Sequence, residues 1–395
     1  MKITFVTSHL TVFTGAGKFI MDYANRFCER GHEMTVVAQK INQDNFKFNE
    51  KIELIEVGGP LPSNLFHWLR FKKIIRRYSQ VLNKIDTDLI FSQYFPSAYC
   101  CAKSEKRKYV KHVNFCQEPY LFFHNKEFYS NAPLFLKIYS KVLRHFFKKF
   151  EIEGICDTDE IICNSYYTNN KIKDYYNRES LVHYIGVDCK DTTDPKEIYK
   201  LEQILNLKKN TPIIFALGLT HHMKGTKELI LILKIILEHI PETILLIGGW
   251  IKKENITMIN KLIKKLKLPP ENIILYGFIE SKLLKYFYEQ SYLTFYTALN
   301  EALGLIPLES MFNGTPVIAF EEGGPKETIL DGKTGYLIKN RNLNEFAEKA
   351  INLMKDKELY NKFSENAKEH VKTNYCYKKL VPDLELILLK IINKN

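Results

Sequence analysis

The segment between Asn300 and Val317 contains the richest set of residues that could do chemistry. Two acids, Glu301 and Glu309, are eight positions apart, and Gly304 and Pro307 lie between them. Proline fits the first turn of a helix because its missing N–H leaves no hydrogen bond unmade there. The segment therefore predicts a loop that carries Glu301, followed by a helix that carries Glu309.

The start of this predicted helix is suited to an anionic ligand. The N–H groups around Leu305 and Ile306 have no intrahelical acceptor, and the helix dipole favours negative charge at this end. Gly304 would allow the chain to approach a ligand closely. Because carboxylates accept hydrogen bonds from vicinal hydroxyls, Glu301 and Glu309 would suit two sugars on either side of a diphosphate.

Three other glycine-containing turns follow predicted strands and could add to a phosphate site. Each is a weak signal alone, because the first lacks the third glycine of a dinucleotide fingerprint and the sequence has no P-loop. Lys224, in the second turn, could supply a point charge to a phosphate. The turns are Thr14-Gly15-Ala16-Gly17, Lys224-Gly225-Thr226 and Gly323-Gly324-Pro325.

The elements that must position these residues alternate between short apolar runs and helical patterns. Continuous apolar runs are typical of parallel strands that are buried on both faces. The first series of predicted strands covers 3–7, 34–38, 88–92, 112–116 and 160–164, and the second covers 212–217, 243–247, 273–276, 293–296 and 316–320. A polar segment after residue 190 separates the series, which predicts two doubly wound α/β halves and a last helix over 380–392.

Composition agrees with a soluble protein of two domains. The chain has 395 residues, of which 45% are hydrophobic and 26% are charged, so disordered and collagen-like classes are excluded. No apolar stretch approaches the length that a membrane helix needs.

The eight cysteines form no Cys-x-x-Cys pair, and we expect reduced, mostly buried thiols in a cytoplasmic protein.

The formal net charge of +12 is concentrated in two segments. The first lies between Leu65 and Ile85 and the second between Pro133 and Phe150, and neither contains an acid. Apolar residues interleave the basic ones, so each segment predicts a basic amphipathic helix that could lie on the anionic inner face of a membrane. A solvated helix face is the alternative interpretation.

At this point the motifs are similar to those of a known family. The stretch from Glu301 to Glu309, with the Gly-Thr-Pro-Val and Gly-Gly-Pro-Lys-Glu segments that follow, resembles the retaining glycosyltransferases of family 4 and their Glu-x7-Glu motif. The resemblance implies the GT-B fold, in which two Rossmann-like parallel-sheet domains face each other across a cleft. The resemblance also implies an acceptor-side domain over 1–190 and a nucleotide-sugar domain over 191–374. A C-terminal helix over 375–395 would cross back to the N-terminal domain.

The resemblance also implies roles for individual residues. The catalytic candidates are Glu301, which would bind hydroxyls of the transferred sugar, and Gln117. Glu309 would bind the nucleotide ribose, and Phe278 would border the base. The diphosphate would be held by Gly15, Lys224, Gly304, Leu305 and Ile306. The family's scheme needs neither a metal nor a cofactor, because the nucleotide diphosphate sugar is a co-substrate, and the hexose passes with retention to a sugar or lipid-linked acceptor.

Two positions depart from the family's pattern. Leu219 follows Gly218 where the family often has arginine, so one phosphate-binding guanidinium is missing, and His221 or His222 could substitute. Gln117 stands where the family usually has histidine. Glutamine can hydrogen-bond a sugar hydroxyl but cannot carry a charge.

Other functions remain open from the sequence. A protein of GT-B fold that binds a nucleotide sugar or a nucleic acid without catalysis would explain both departures, although no aromatic-basic RNA motif is present and we expect no nucleic-acid partner. An inverting enzyme would need a general base. Asp22 and Glu118 are available, but no spacing selects either. A donor that carries UDP or GDP fits the family equally well.

Overall fold

A computed structural model describes residues 1–124, 134–190, 201–218, 222–251 and 253–394. The chain divides into two compact units. The N-terminal unit contains Met1–Ile185 and Leu380–Asn395, and the C-terminal unit contains Gly186–Lys379.

The N-terminal unit is built on a parallel sheet of seven strands in the order β3-β2-β1-β4-β5-β6-β7. Register pairs such as Phe5 with Val36 and Phe5 with Phe91 place β1 between β2 and β4. The strands are β1 (Lys2–Val6), β2 (Glu33–Ala38), β3 (Glu53–Glu56), β4 (Leu89–Gln93), β5 (Lys111–Cys116), β6 (Glu160–Cys163) and β7 (Leu181–Val182).

Both faces of this sheet carry helices. Val6 packs on one face with Ile74 and Tyr78 of α3, and Phe5 packs on the other with Phe27 of α1. The helices are α1 (Gly15–Glu29), α2 (Leu65–Leu69), α3 (Phe71–Leu82), α4 (Ser97–Ala102), α5 (Leu121–His124), α6 (Leu134–Cys156) and α7 (Tyr166–Tyr176).

The C-terminal unit has a second parallel sheet, of six strands in the order β10-β9-β8-β11-β12-β13. The strands are β8 (Ile213–Leu217), β9 (Ile244–Gly248), β10 (Ile273–Gly277), β11 (Leu293–Tyr296), β12 (Val317–Phe320) and β13 (Gly335–Ile338). Side chains of β8 alternate between two hydrophobic clusters: Ile214 and Ala216 belong to one, Ile213 and Phe215 to the other. Alternation of this kind follows from the pleat of a strand that is covered on both faces.

The helices of this unit supply both layers. They are α8 (Leu201–Ile204), α9 (Thr226–Leu237), α10 (Lys253–Leu266), α11 (Ser281–Glu289), α12 (Leu305–Phe312), α13 (Pro325–Thr328), α14 (Leu343–Lys355), α15 (Lys357–Asn374) and α16 (Tyr377–Ile392).

The last helix, α16, begins in the C-terminal unit and continues into the N-terminal one at Leu380. Within the N-terminal unit, Arg30 donates a hydrogen bond to Glu385 at 2.7 Å, and His32 Nε2 lies 2.6 Å from the other carboxylate oxygen. These contacts hold the helix against the end of α1.

The sequence predicted ten strands, and all ten are present with bounds that differ by one or two residues. It missed β3, β7 and β13. All three are edge strands, and the residues of β3 and β7 are at least partly exposed. Short edge strands lack the continuous apolar run on which the prediction relied.

The basic segment from Leu65 to Ile85 is two helices rather than the single one that we predicted. Arg70 separates α2 from α3, with φ −103° and ψ 17°, and α3 ends at Leu82. Trp68 and Phe71, on either side of this turn, belong to the same hydrophobic cluster. The second basic segment lies in α6 from Leu134 onward, and Pro133 is outside the described residues.

The expectation that all cysteines are reduced is wrong for one pair. Cys189 and Cys376 form a disulfide with a Cα–Cα distance of 5.6 Å, and the remaining six cysteines are free. A bridge between Val187 and Cys376 sets the pairing, since Val187 N–H donates to Tyr375 and Tyr377 N–H donates to Val187. The sequence separation of 187 residues hid this proximity from the sequence.

A thiol titration tests this disulfide. With purified, unreduced protein in denaturant, we expect six reactive thiols and eight after reduction, because Cys189 and Cys376 are joined. Cys376→Ser should give seven without reduction, since it frees its partner. Eight thiols in unreduced wild-type protein would show that our original expectation was right.

Candidate functional site

The central candidates of the C-terminal unit lie where its strand order reverses. Strand β8 neighbours both β9 and β11, so the loops that follow β8 and β11 diverge at this point. Lys224 follows β8, and Glu301 follows β11. In parallel α/β sheets, ligands bind beyond the carboxyl ends of the strands at such a switch point.

The helix start that the sequence predicted is α12. Gly304 is its N-cap, with φ +84°, a backbone conformation that L side chains rarely adopt, so glycine is needed here. Pro307 is the third helical residue, where a missing N–H costs no helical bond. The N–H groups of Leu305 and Ile306 are therefore among those with no acceptor inside the helix.

Lys224 and Glu301 form an ion pair across the switch point. The distance from Lys224 Nζ to Glu301 Oε2 is 2.5 Å, and both side chains are partly exposed. The sequence placed each residue near a ligand but did not predict that they contact each other. Attraction between the two charges fixes the lysine and the carboxylate beside the start of α12.

Two residues at the end of β11 position this pair. Thr297 Oγ1 donates a hydrogen bond to the carbonyl oxygen of Lys224 at 2.9 Å. Tyr296 is buried and donates to the Glu301 carboxylate. Burial, with an added contribution from that carboxylate, raises the pKa of Tyr296 well above its ordinary value, so the hydroxyl keeps its proton at neutral pH. These contacts make the pair part of a fixed framework.

A glycine turn after β12 braces the loop that carries Glu301. Gly324 N–H donates to the Glu301 carbonyl oxygen at 2.8 Å. A Cβ on Gly324 would lie 2.4 Å from Ala302 O and from Leu303 Cα, so only glycine permits this approach. The sequence had selected the Gly-Gly-Pro turn as a weak phosphate candidate, and its observed contact is with the backbone of the loop.

Glu309 is held by a buried tyrosine on the neighbouring helix. The distance from Tyr288 Oη to Glu309 Oε2 is 3.2 Å, and Tyr288 is fully buried at the end of α11. Burial raises the pKa of Tyr288 well above its ordinary value, and the nearby Glu309 charge adds to this. The tyrosine is therefore a permanent donor that orients the carboxylate.

Phe278 lies directly after β10 and exposes 62% of its surface. Trp250, after β9, is 76% exposed, and the two ring centroids are 6.4 Å apart. Sequence reasoning proposed Phe278 as a neighbour of the base and missed Trp250. Two exposed rings at the carboxyl end of the sheet offer flat apolar faces to a planar ligand.

The remaining two candidates, Gln117 and Gly15, belong to the N-terminal unit. Gln117 follows β5 and is only 7% exposed, yet its Nε2 has no hydrogen-bond partner among the residues that the structure describes. A buried amide that lacks a partner is costly, so it is a candidate donor to a ligand.

Gly15 is the first residue of α1 rather than part of the preceding loop, because Thr14 caps that helix by accepting a hydrogen bond from Gly17 N–H at 3.1 Å.

The segment after Gln117 is anchored by a carboxylate that the sequence analysis overlooked. Glu151, on α6, is 2% exposed and accepts hydrogen bonds from the Tyr120 N–H at 3.3 Å and from the Tyr176 hydroxyl. His124 Nε2 lies 2.9 Å from its other oxygen. Glu151 thus fixes α5 and the turn that carries Gln117. No local pattern in the sequence singles it out, since Glu153 lies two residues away on the same helix.

Some predictions fall outside the described residues. Leu219, His221 and the side chain of His222 lie outside the part of the chain that the structure describes. Within the described ranges, no group of three or more His, Cys, Asp or Glu side chains is arranged to hold a metal ion.

Comparison with known families covers most of the chain in two parts. Residues 13–191 match Glycosyltransferase Family 4, and residues 197–370 match Glycosyl transferases group 1. The chain belongs to glycosyltransferase family 4. The resemblance that was drawn from the Glu301–Glu309 region is therefore confirmed.

Curated relatives match over shorter stretches. The α-1,3/1,6-mannosyltransferase ALG2 of Dictyostelium discoideum is 38% identical over 24% of this chain and 23% of its own length. Trehalose synthase of Thermococcus litoralis is 28% identical over 46% of this chain and 45% of its own. The poly(glycerol-phosphate) α-glucosyltransferase of Bacillus subtilis is 31% identical over 37% and 21%. The chain thus spans less than half the length of these relatives.

Solved structures match over the whole chain at low identity. Sucrose-phosphate synthase from Thermosynechococcus elongatus has a TM-score of 0.80 at 16% identity and covers 99% of both chains. A glycosyltransferase from Rickettsia africae has a TM-score of 0.78 at 20% identity, covering 100% of this chain and 99% of its own. Anabaena HepE, crystallised with UDP-glucose, gives 0.76 at 17% identity, covering 99% and 100%. Together with the two parallel sheets, these matches confirm the GT-B fold.

Gly324→Ala tests the brace on the Glu301 loop. The added Cβ would clash with Ala302 and Leu303, so we expect faster amide hydrogen exchange across residues 301–306 and a loss of stability of about 1–3 kcal/mol. Gly332→Ala is the control, because a Cβ at that position meets nothing within 4 Å. Any cost of the control comes instead from its φ of +69°, which favours glycine. Equal exchange in the two variants would contradict the brace.

Proposed function

We propose that this protein is a retaining glycosyltransferase that moves a hexose from a nucleotide diphosphate sugar to a sugar or lipid-linked glycan acceptor without a metal ion. Family membership supports the transfer of a sugar. The observation that carries the proposal is the arrangement around α12: two carboxylates, Glu301 and Glu309, flank a helix start, and Lys224 contacts the first of them.

The diphosphate would bind at the start of α12. Unpaired helical N–H groups and the positive end of the dipole favour its negative charge, and Lys224 adds a full charge. When the donor binds, the lysine would share its hydrogen bonds between Glu301 and a phosphate oxygen. Fixed N–H dipoles and a lysine could thereby accept the charge that a metal ion neutralises in other transferases.

The transfer breaks the bond between the anomeric carbon and the diphosphate oxygen and forms a bond from that carbon to the acceptor oxygen. The acceptor proton passes to the departing phosphate oxygen, so the new bond forms on the face that the diphosphate leaves. Positive charge develops on the sugar, and the diphosphate carries the matching negative charge. Glu301 would orient the sugar by accepting hydrogen bonds from its hydroxyls.

Glu309 and Gln117 would act through hydrogen bonds to hydroxyl groups. Tyr288 orients Glu309, and this carboxylate would accept a hydrogen bond from a ribose hydroxyl when the donor binds. The unpartnered Nε2 of Gln117 would donate to the transferred sugar. A neutral amide cannot stabilise charge as a protonated histidine does, so its role would be to orient the substrate.

The phosphate and ribose contacts predict binding of a nucleoside diphosphate. In a thermal-shift screen with UDP, GDP and ADP, we expect one nucleotide to raise the melting temperature, since ligand at one hundred times its dissociation constant adds about 2.7 kcal/mol. UDP is the first choice because the structurally similar Anabaena HepE was crystallised with UDP. No shift with any of the three would contradict the donor site.

Substitution of the two acids should separate their roles. Glu309→Ala should weaken nucleotide affinity roughly tenfold or more, because a hydrogen bond to a charged group is worth about 1.5–3 kcal/mol. Glu301→Ala should lower kcat about a hundredfold and change nucleotide affinity less, since its partner is the transferred sugar.

Glu365→Ala, which removes an exposed acid on α15, is the matched control and should leave both constants unchanged. Wild-type turnover by Glu301→Ala with the donor that the screen identifies would show that its assigned role is wrong. Nucleotide binding without turnover on any sugar would instead indicate a binding protein of the same fold.

A further inference from the structure

One face of the N-terminal unit combines positive charge with exposed apolar side chains. It is formed by residues 65–85, which include α2 and α3, and by residues 134–150 of α6, and it is called the α2–α3–α6 surface below. The candidate site of the C-terminal unit makes no use of it. The described helices include none that is both long enough and apolar enough to cross a bilayer.

The two parts of this surface are joined by an aromatic seam. Trp68 of α2 lies 4.8 Å from Phe147 of α6 between ring centroids, and Phe71 of α3 lies 5.3 Å from the same ring. Trp68, Phe71 and Leu143 are buried in one cluster. The helices are therefore fixed side by side, and their outer faces form one continuous surface.

The outer face of α6 is apolar along its length. Leu134, Ile138, Val142 and Phe146 recur at intervals of four and are 73%, 56%, 46% and 58% exposed. Residues four apart share a helix face. Leu143 and Phe147, on the opposite face, pack inward. An exposed stripe of large aliphatic and aromatic side chains is unfavourable in water unless something covers it.

The outer face of α2 extends this stripe. Leu65 and Phe66 are each 57% exposed, and Leu69 is 72% exposed. The guanidinium of Arg70 lies 5.9 Å from the centre of the Phe66 ring. A cation beside an exposed ring suits the boundary between headgroups and acyl chains, where one end of a residue is wet and the other apolar.

The charge of the whole protein is concentrated on this surface. Its two segments contain 11 of the 57 lysines and arginines and none of the 45 acids. The remainder of the chain thus has 46 basic residues against 45 acidic ones and is almost neutral. A general bias toward lysine codons would have spread the excess over the sequence.

We propose that the α2–α3–α6 surface docks on an anionic lipid bilayer, with the apolar stripe of α6 and the exposed residues of α2 inserted at the headgroup level. Basic side chains next to the stripe attract anionic headgroups, each contributing favourably near the surface. Apolar area supplies the affinity that does not depend on salt. Neither a solvated helix face nor charge alone accounts for both the concentrated positive charge and the exposed apolar stripe.

Other occupants fit the surface less well. A nucleic acid would be attracted by the lysines but would not need an outward stripe of Leu, Ile, Val and Phe. A second copy of the chain would bring 11 positive charges against 11 more, which like-charge repulsion disfavours.

Vesicle sedimentation tests the proposal with the full-length chain. Vesicles of phosphatidylcholine that contain about one-third phosphatidylglycerol should bind the protein at low salt, and vesicles of phosphatidylcholine alone should bind it at least about tenfold more weakly. High salt should weaken binding without abolishing it. Failure to bind anionic vesicles at low salt would overturn the proposal.

Paired variants distinguish this surface from net charge. Lys137→Glu with Lys141→Glu should weaken binding to anionic vesicles at least about tenfold. Lys261→Glu with Lys265→Glu makes the same change in charge, at the same spacing, on the exposed face of α10 in the C-terminal unit, and should weaken it much less. An equal effect of the two pairs would overturn the proposal.

The apolar contribution has its own variants. Ile138→Ser with Phe146→Ser should abolish the binding that remains at high salt, whereas Leu330→Ser with Leu386→Ser, at exposed positions elsewhere, should not. Wild-type retention by the first pair would overturn insertion. Circular dichroism of each variant confirms that it folds, and a nucleotide thermal shift that is unchanged separates loss of docking from loss of the donor site.

Two further results would also count against the proposal. The first is a dimer in sedimentation equilibrium that the lysine pair disrupts. The second is tight binding of single-stranded RNA at physiological salt that the lysine pair abolishes while vesicle binding persists. Either would assign the surface to another partner.

Discussion

The candidate site of this member of glycosyltransferase family 4 depends on the attraction between Lys224 and Glu301. The two residues follow different strands, β8 and β11, and meet only because the order of the sheet reverses between them. Three neighbouring residues hold this pair in place. Thr297 donates a hydrogen bond to the Lys224 carbonyl oxygen, Tyr296 donates to the Glu301 carboxylate, and Gly324 packs closely against the loop that carries Glu301. The helix that begins at Leu305 then has its positive end beside a carboxylate and an ammonium whose positions are already set.

Two tyrosines keep the acids of the Glu-x7-Glu pattern in place. Tyr296 serves Glu301 and Tyr288 serves Glu309, and burial keeps both phenols protonated. Each acid is thus oriented by a buried tyrosine, and Glu301 is also held by Lys224. A carboxylate held by a fixed donor keeps its orientation, which an unsupported surface acid would not.

The sequence predicted the fold well because buried parallel strands leave an unmistakable pattern, and it predicted the α12 helix start from Gly304 and Pro307. It could not predict which residues contact Glu301, since Lys224 and Gly324 are distant in the chain and only the sheet order brings them together. Trp250 and Glu151 were missed for a similar reason: no local pattern singles out either residue. The disulfide between Cys189 and Cys376 spans too much sequence for spacing to reveal it.

The helix α16 has a consequence for how such proteins can be recombined. Because residues from Leu380 onward belong to the N-terminal unit, and Glu385 is held by Arg30 and His32, that unit is not one continuous stretch of chain. A chimaera that exchanges only the first 185 residues with another family member would leave a foreign tail against the new α1. The N-terminal unit could be exchanged intact only if the tail travels with the first segment, so we expect the two segments of this unit to evolve together.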